Sequence, residues 1–157
     1  MFSQLCTYNY IDSMLILYLD NCCFNRPYDD QAQLRIRLET EAKLYVQQEI
    51  LTGKYKLAWS YILDYENSKN PFLERKLQIE KWRKQAIQDV EENEELLLLA
   101  KELVGKGFGK MDALHIACAV LAKADFFLTT DDGILKKGHH MDTIRICNPI
   151  DFIKEAG

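Results

Sequence analysis

Four acidic side chains, Asp20, Glu66, Asp112 and Asp131, each stand in or beside an apolar segment that could deliver them to one cleft. Carboxylates gathered without cations repel one another and raise one another's pKa, so such a group implies bound positive charge. Hard oxygen donors select Mg2+ or Mn2+ rather than zinc. One or two such ions, with a phosphodiester oxygen completing their coordination, would activate water and neutralise charge on the leaving oxygen. The implied chemistry is that of a metal-dependent nuclease. Taken singly, each residue has a plainer reading. Asp20 could cap a turn, Asp112 could sit at a helix N-terminus, Asp131 could belong to a turn and Glu66 to a solvated helix face. Only joint placement favours chemistry, and placement depends on the surrounding elements.

Short apolar runs alternate with amphipathic helices, the pattern of an α/β fold with a mainly parallel sheet. The run MLILYL at 14–19 suits a buried central strand ending at Asp20. Leu34, Leu38, Ala42, Tyr45, Val46 and Ile50 recur at helical spacing, with Gly53 where a C-terminal cap belongs. Tyr55 to Trp59 reads as a second strand, and Ser60 as the cap of a helix carrying Glu66. Pro71 suits the first turn of a further helix with Phe72, Ile79, Trp82 and Ala86 on its apolar face. Asn93 caps the next, whose buried face is Leu96, Leu99 and Leu103. Met111 to Leu121 is a third strongly apolar helix. It leads into a strand at Asp125–Leu128, a turn at Asp131–Gly133, a last strand at Thr143–Ile146 and a short closing helix.

This order brings the four acids to one edge. Asp20 and Asp131 lie just beyond strands, and Glu66 lies on the helix leaving the second strand. A helix that feeds a strand starts at the edge where strands end, which places Asp112 there too. Open α/β sheets bind ligands in the crevice outside the carboxyl ends of their strands. The 157 residues, 48% apolar and 28% charged, suffice for one domain with a full core. A formal charge of −4 does not announce a strongly basic nucleic-acid binder. Five cysteines at no zinc-like spacing read as reduced thiols of a cytoplasmic protein, and no segment has the apolar length to span a bilayer. Residues 1–13 precede the first strand pattern and read as a loose extension or an upstream translation start, with 14–157 as the single domain.

The stretches LILYLDNCC around Asp20, SYILDYEN around Glu66, KMDALHIACAV around Asp112 and FFLTTDD around Asp131 resemble PIN domains. Among these they resemble the toxin ribonucleases of bacterial type II toxin–antitoxin pairs, the VapC group. The resemblance runs from about Met14 to the end, and the stretch from Met111 to Val120 is its most specific part. It implies a three-layer α/β/α sandwich with a central, mainly parallel sheet of four or five strands. It also implies Mg2+ or Mn2+ dependence, RNA as substrate, and Asp20, Glu66, Asp112 and Asp131 as the metal-holding catalytic set. Thr129 or Thr130 would be the hydroxyl residue beside the last aspartate, and Asp132 a further contributor. Asn21 departs from the small or hydroxyl residue often found there.

His115, one helical turn after Asp112, either touches the site or is a hydrogen-bonded buried histidine. Lys110 and Lys69 are candidate RNA contacts, since lysines neutralise phosphates. The insert holding Lys69, Arg75, Lys76, Lys81, Arg83 and Lys84 has a solvated helix face as its alternative reading. A small antitoxin and a second copy of the chain are the implied protein partners, with Tyr45 and Trp82 as exposed apolar positions for the latter. Competing readings are a PIN-fold RNA-binding or interaction module with weak catalysis, and a DNA-directed nuclease of the same fold.

Overall fold

The computed structural model describes residues 14–156, and the extension expected at residues 1–13, with Cys6 in it, lies outside them. Strand β1 (Ile16–Leu19) is the centre of a five-stranded sheet. It is flanked by β2 (Lys56–Ser60) and β4 (Phe126–Leu128), with β3 (Ala86–Val90) and β5 (Arg145–Cys147) at the edges, and every pairing is parallel. The described helices are α1 (Asn21–Asn25), α2 (Leu34–Leu51), α3 (Tyr61–Ser68), α4 (Leu73–Glu80), α5 (Glu94–Gly105), α6 (Lys110–Leu121), α7 (Asp132–Gly138) and α8 (Pro149–Ala156).

Leu17, Tyr18 and Leu19 are all buried, so successive side chains of β1 find cover on both faces of the sheet. The pleat divides that cover. Phe126 points to the side where Phe152 of α8 meets it, 4.9 Å between ring centroids. Phe127 points to the other side and stacks on Tyr18 at 5.4 Å, beneath α6, whose His115 bonds Tyr18. Helix α2 packs beside α8, and α5 beside α6. The result is the expected α/β/α sandwich. Truncating a fully buried residue of this core, such as Leu17, would cost about 2–5 kcal/mol.

Local chemistry sets several ends. Ser60 Oγ accepts from the Leu63 amide at 3.3 Å and Asn93 Oδ1 from the Leu96 amide at 2.8 Å, the two expected N-caps. Gly53, at φ +86°, takes the left-handed conformation that stops α2. After α2 returns the chain to β2 on one side of β1, a later crossover through α6 reaches β4 on the other. This reversal makes the carboxyl end of β1 a topological switch point, the place where open α/β sheets bind ligands.

Three expectations need correction. The helix expected to carry Phe72, Ile79, Trp82 and Ala86 ends at Glu80. A 3-10 segment, Lys81–Gln85, follows it, and Ala86 opens β3. Phe72 precedes the helix, and Trp82 is half-buried against the core rather than exposed. The edge strand AIQDV has one buried neighbour strand and an exposed Ile87, so no apolar run announced it. The turn expected at Asp131–Gly133 is instead the start of α7, with Asp131 as its cap. The last strand lies one to two residues later than expected, at Arg145–Cys147.

Candidate metal centre

Asp20 leaves β1 at the switch point, its amide donating to the Leu128 carbonyl at 2.9 Å. The residue is 7% exposed and its carboxylate is held at both oxygens. Oδ1 accepts from the Asn21 amide at 2.8 Å. Oδ2 accepts from Thr129 Oγ1 at 2.9 Å and from Cys22 Sγ at 3.3 Å. These donors fix the carboxylate without supplying a full positive charge. Thr129 is itself fully buried, and its Oγ1 also accepts the Asp131 amide at 3.1 Å, tying the ends of β1 and β4 together.

Glu66 projects from α3 toward the same point. Its Oε2 accepts from Asn21 Nδ2 at 3.3 Å, while Oε1 is bonded to His115 Nε2. His115 Nε2 lies 3.8 Å from Asp20 Oδ1, and one donor atom from each of Asp20, Glu66 and His115 falls within 4.8 Å of the others. Behind the imidazole, His115 Nδ1 is 2.6 Å from the Tyr18 hydroxyl, which is 2.6 Å from Ser60 Oγ. Burial, with nearby Cys118 and carboxylates adding to it, pushes the Tyr18 hydroxyl well above its usual range, so it stays a neutral hydrogen-bonding group.

Asp112 sits in the first turn of α6, half-buried, one turn before His115. Its carboxyl is pushed above the ordinary range, first by burial and then by the charges of Asp20 and Asp131 and, more weakly, Glu66; His115 opposes them. Among the described residues the close group of donor atoms is Asp20, Glu66 and His115, and Asp112 and Asp131 lie outside it. Asp131 is the outermost, exposed at the rim, and its Oδ1 accepts from the Ile134 amide at 3.1 Å.

Asp132 does not join them. Arg35 of α2 clasps it through two bonds, at 2.7 and 2.9 Å, and the guanidinium holds this carboxyl below its ordinary range. Thr130 is buried, with its carbonyl accepting from Arg35 at 3.3 Å. Of the two threonines, Thr129 therefore faces Asp20. Lys110 is exposed at the first position of α6, two residues before Asp112. Lys69, at the end of α3, lies 4.3 Å over the Tyr65 ring. Among the described residues, none of Asp20, Glu66, Asp112 and Asp131 is paired with a lysine or arginine. An oxygen-rich donor set that no lysine or arginine neutralises among the described residues fits a hard divalent ion.

With this geometry in place, the fold finds a counterpart. A chain in the crystal structure of VapBC2 from Rickettsia felis bound to a DNA fragment from their promoter matches with a TM-score of 0.52. The match covers 85% of this chain and 98% of that one at 17% identity, which establishes a shared fold. No protein-family model and no curated protein matches the chain.

Sequence reasoning missed Tyr18, Cys22, and the bond of Ser60 to Tyr18. The signal for Tyr18 was present: it interrupts an apolar strand with a hydroxyl and, two residues before Asp20, shares its side of the pleat. The parallel register then sets Ser60 level with Asp20, because Tyr18 pairs with Ala58. Cys22 carried no such mark, since its approach to Asp20 depends on the turn into α1.

Proposed function

We propose that this chain is a Mg2+- or Mn2+-dependent endoribonuclease of the PIN type, acting as the toxin of a toxin–antitoxin pair. The observation that carries the reading is the approach of Asp20 and Glu66 to one point, with donor atoms of these two and of His115 within 4.8 Å of one another and, among the described residues, no lysine or arginine paired with either acid. The fold shared with a chain of a VapBC2 structure and the motif resemblance to the VapC group both support it.

Asp20 is the innermost donor, rigidly aimed by Asn21, Thr129 and Cys22. Glu66 is aimed by Asn21 and His115, and Asp112, in the first turn of α6, feels the charges of Asp20 and Glu66. Asp131, at the rim, stands where an incoming phosphodiester first meets the site. A divalent ion held by these oxygens would polarise a phosphoryl oxygen and lower the pKa of a bound water. Lys110, exposed beside Asp112, contacts a flanking phosphate, and Lys69 a more distant one. A small antitoxin covers this site in the resting pair, and Tyr45, exposed on α2, contributes to pairing with a second copy.

The test incubates the purified chain with single-stranded RNA, structured RNA and DNA of matched sequence, each with Mg2+, Mn2+ or EDTA. Cation-dependent cutting of RNA that is lost in Asp20→Asn supports the proposal. Equal cutting by the wild type and Asp20→Asn, or cutting in EDTA, refutes it. Preferential cutting of DNA would move the assignment to a DNA-directed nuclease.

A further inference from the structure

The atoms of Asp20, Glu66 and His115 lie close enough to suggest a mixed metal site with one imidazole ligand. The hydrogen bonds around the histidine point elsewhere. The Leu63 amide, at the start of α3, donates to Ser60 Oγ at 3.3 Å. An amide can only donate, but the serine oxygen keeps a second lone pair, so this bond leaves the direction of the next one open. Ser60 Oγ lies 2.6 Å from the Tyr18 hydroxyl, and either oxygen can donate to the other. The Tyr18 hydroxyl in turn lies 2.6 Å from His115 Nδ1, so the direction is set at the far side of the ring.

A neutral imidazole that accepts at one nitrogen carries its proton on the other. His115 Nε2 is bonded to a carboxylate oxygen of Glu66, and a carboxylate can only accept, so Nε2 carries the proton and Nδ1 of the neutral ring accepts from Tyr18. Full protonation of the ring would leave Nε2 a donor as well, so the direction of this bond does not depend on the charge state of His115. A nitrogen that bears a proton has no lone pair to offer a metal ion.

We infer that His115 is a positioning residue rather than a ligand: its Nε2–H donates to Glu66, with the Tyr18 hydroxyl holding Nδ1 behind it, and aims that carboxylate into the centre. The donor set left for a cation is then made of oxygen atoms alone, from Asp20, Glu66, Asp112 and Asp131. Asn21 Nδ2 holds the second oxygen of Glu66 at 3.3 Å, so α1 and α6 grip this side chain from two directions. Side chains that orient metal-binding carboxylates typically affect affinity by about 10- to 100-fold when removed. The role in cation binding rests on the proposed function, whereas the position of the proton does not.

Two experiments separate these. In cation-free protein labelled with 15N-histidine, long-range proton–nitrogen spectra report which ring nitrogens carry a proton, and a His139→Asn/His140→Asn variant isolates His115. A protonated, pyrrole-type Nε2 is expected. An unprotonated, pyridine-type Nε2 overturns the inference, whatever the protein binds. Mn2+ binding is then measured by calorimetry for the wild type, His115→Gln and His115→Leu. The glutamine amide reaches the same point as Nε2 and can donate, so His115→Gln should stay within several-fold of the wild type. His115→Leu should bind about 10- to 100-fold more weakly. Equal loss in both variants, or no loss in His115→Leu, overturns the positioning role. Absence of Mn2+ binding by the wild type would instead overturn the proposed function, leaving the proton position to stand or fall on the spectra.

Discussion

Two buried acids in this molecule face opposite company. Glu39, fully buried on α2, accepts from Arg26 Nη2 at 2.8 Å and Nε at 3.0 Å, from Arg35 Nε at 3.4 Å, and from Asn148 Nδ2. Asp20, 7% exposed at the end of β1, accepts from an amide, a hydroxyl and a thiol, and its nearest charged neighbours among the described residues include further acids. Desolvating a carboxylate is expensive unless charge and hydrogen bonds compensate it. Around Glu39 two guanidinium groups do so within the chain. Around Asp20 the hydrogen bonds are complete and the charge is not. Burial of an acid is therefore a poor guide to function, and the missing cation is the better one. The contrast divides adjacent residues too: Arg35 draws Asp132 to the compensated cluster and leaves Asp131 to the other.

The contrast breaks most visibly under exchange of the two acids for amides. Asp20→Asn should lower RNA cleavage by more than about 100-fold, since removing even an orienting partner of a metal ligand typically costs up to that much. Its thermal unfolding in cation-free buffer should stay near that of the wild type. Glu39→Gln should do the reverse in stability, because it removes the buried charge that Arg26 and Arg35 share, although both keep some solvent and a second partner in Asp29 and Asp132. A loss of about 1–3 kcal/mol is expected, read as a fall in Tm of about 2–12 °C by calorimetry. If Asp20→Asn proved the more destabilising of the two, Asp20 would be a structural acid and the comparison would collapse.

Much of the uncompensated region was legible from the sequence, and almost none of the compensated one. Asp20 and Glu66 sit at ends of elements whose periodicity is strong, so strand and helix direction sufficed to bring these two together, and Asp112 stands in the first turn of its helix as expected. Asp132 was misread because its fate depends on Arg35, far away in sequence on α2, and no spacing rule connects them. Glu39 was hidden for a related reason. Helix α2 buries Glu39, Thr40, Lys43 and Gln47 beside Ala42, Val46 and Ile50 while exposing Leu34, Leu38 and Leu44, which blurs the usual division of faces. The strand at Ala86–Val90 was lost because an edge strand with one neighbour needs little apolar sequence. Sequence patterns report burial of apolar surface, and long-range ion pairs leave no such trace.

The next prediction adds the charge the centre lacks. Mn2+ at about a hundredfold excess over its Kd should stabilise the folded chain by about 2.7 kcal/mol, a rise in Tm of about 5–10 °C. The rise should persist in Glu39→Gln, from its lower baseline, and vanish in Asp20→Asn. A similar rise in Asp20→Asn would place the ion elsewhere and detach the cation from the acidic centre.

The smallest expected effect concerns Asp112, and it sharpens the comparison through pH. Its folded-state pKa lies above the unfolded one, through burial first and then its acidic neighbours. Between those two values the folded chain binds more protons than the unfolded chain, so stability falls as pH rises through that window. Above it, the ionised group destabilises the cation-free protein; below both values, it does not. Asp112→Asn should therefore raise the Tm of cation-free protein at neutral pH, and the gain should disappear in acid below the ordinary carboxylate range. Half-exposure lets solvent screen the charge, which keeps the gain modest. Saturating Mn2+ should reverse the order, with the wild type the more stable at neutral pH because it keeps the ligand that the variant has lost. An Asp112→Asn variant that is less stable than the wild type in cation-free buffer at neutral pH would mean that this acid is compensated after all, as Glu39 is.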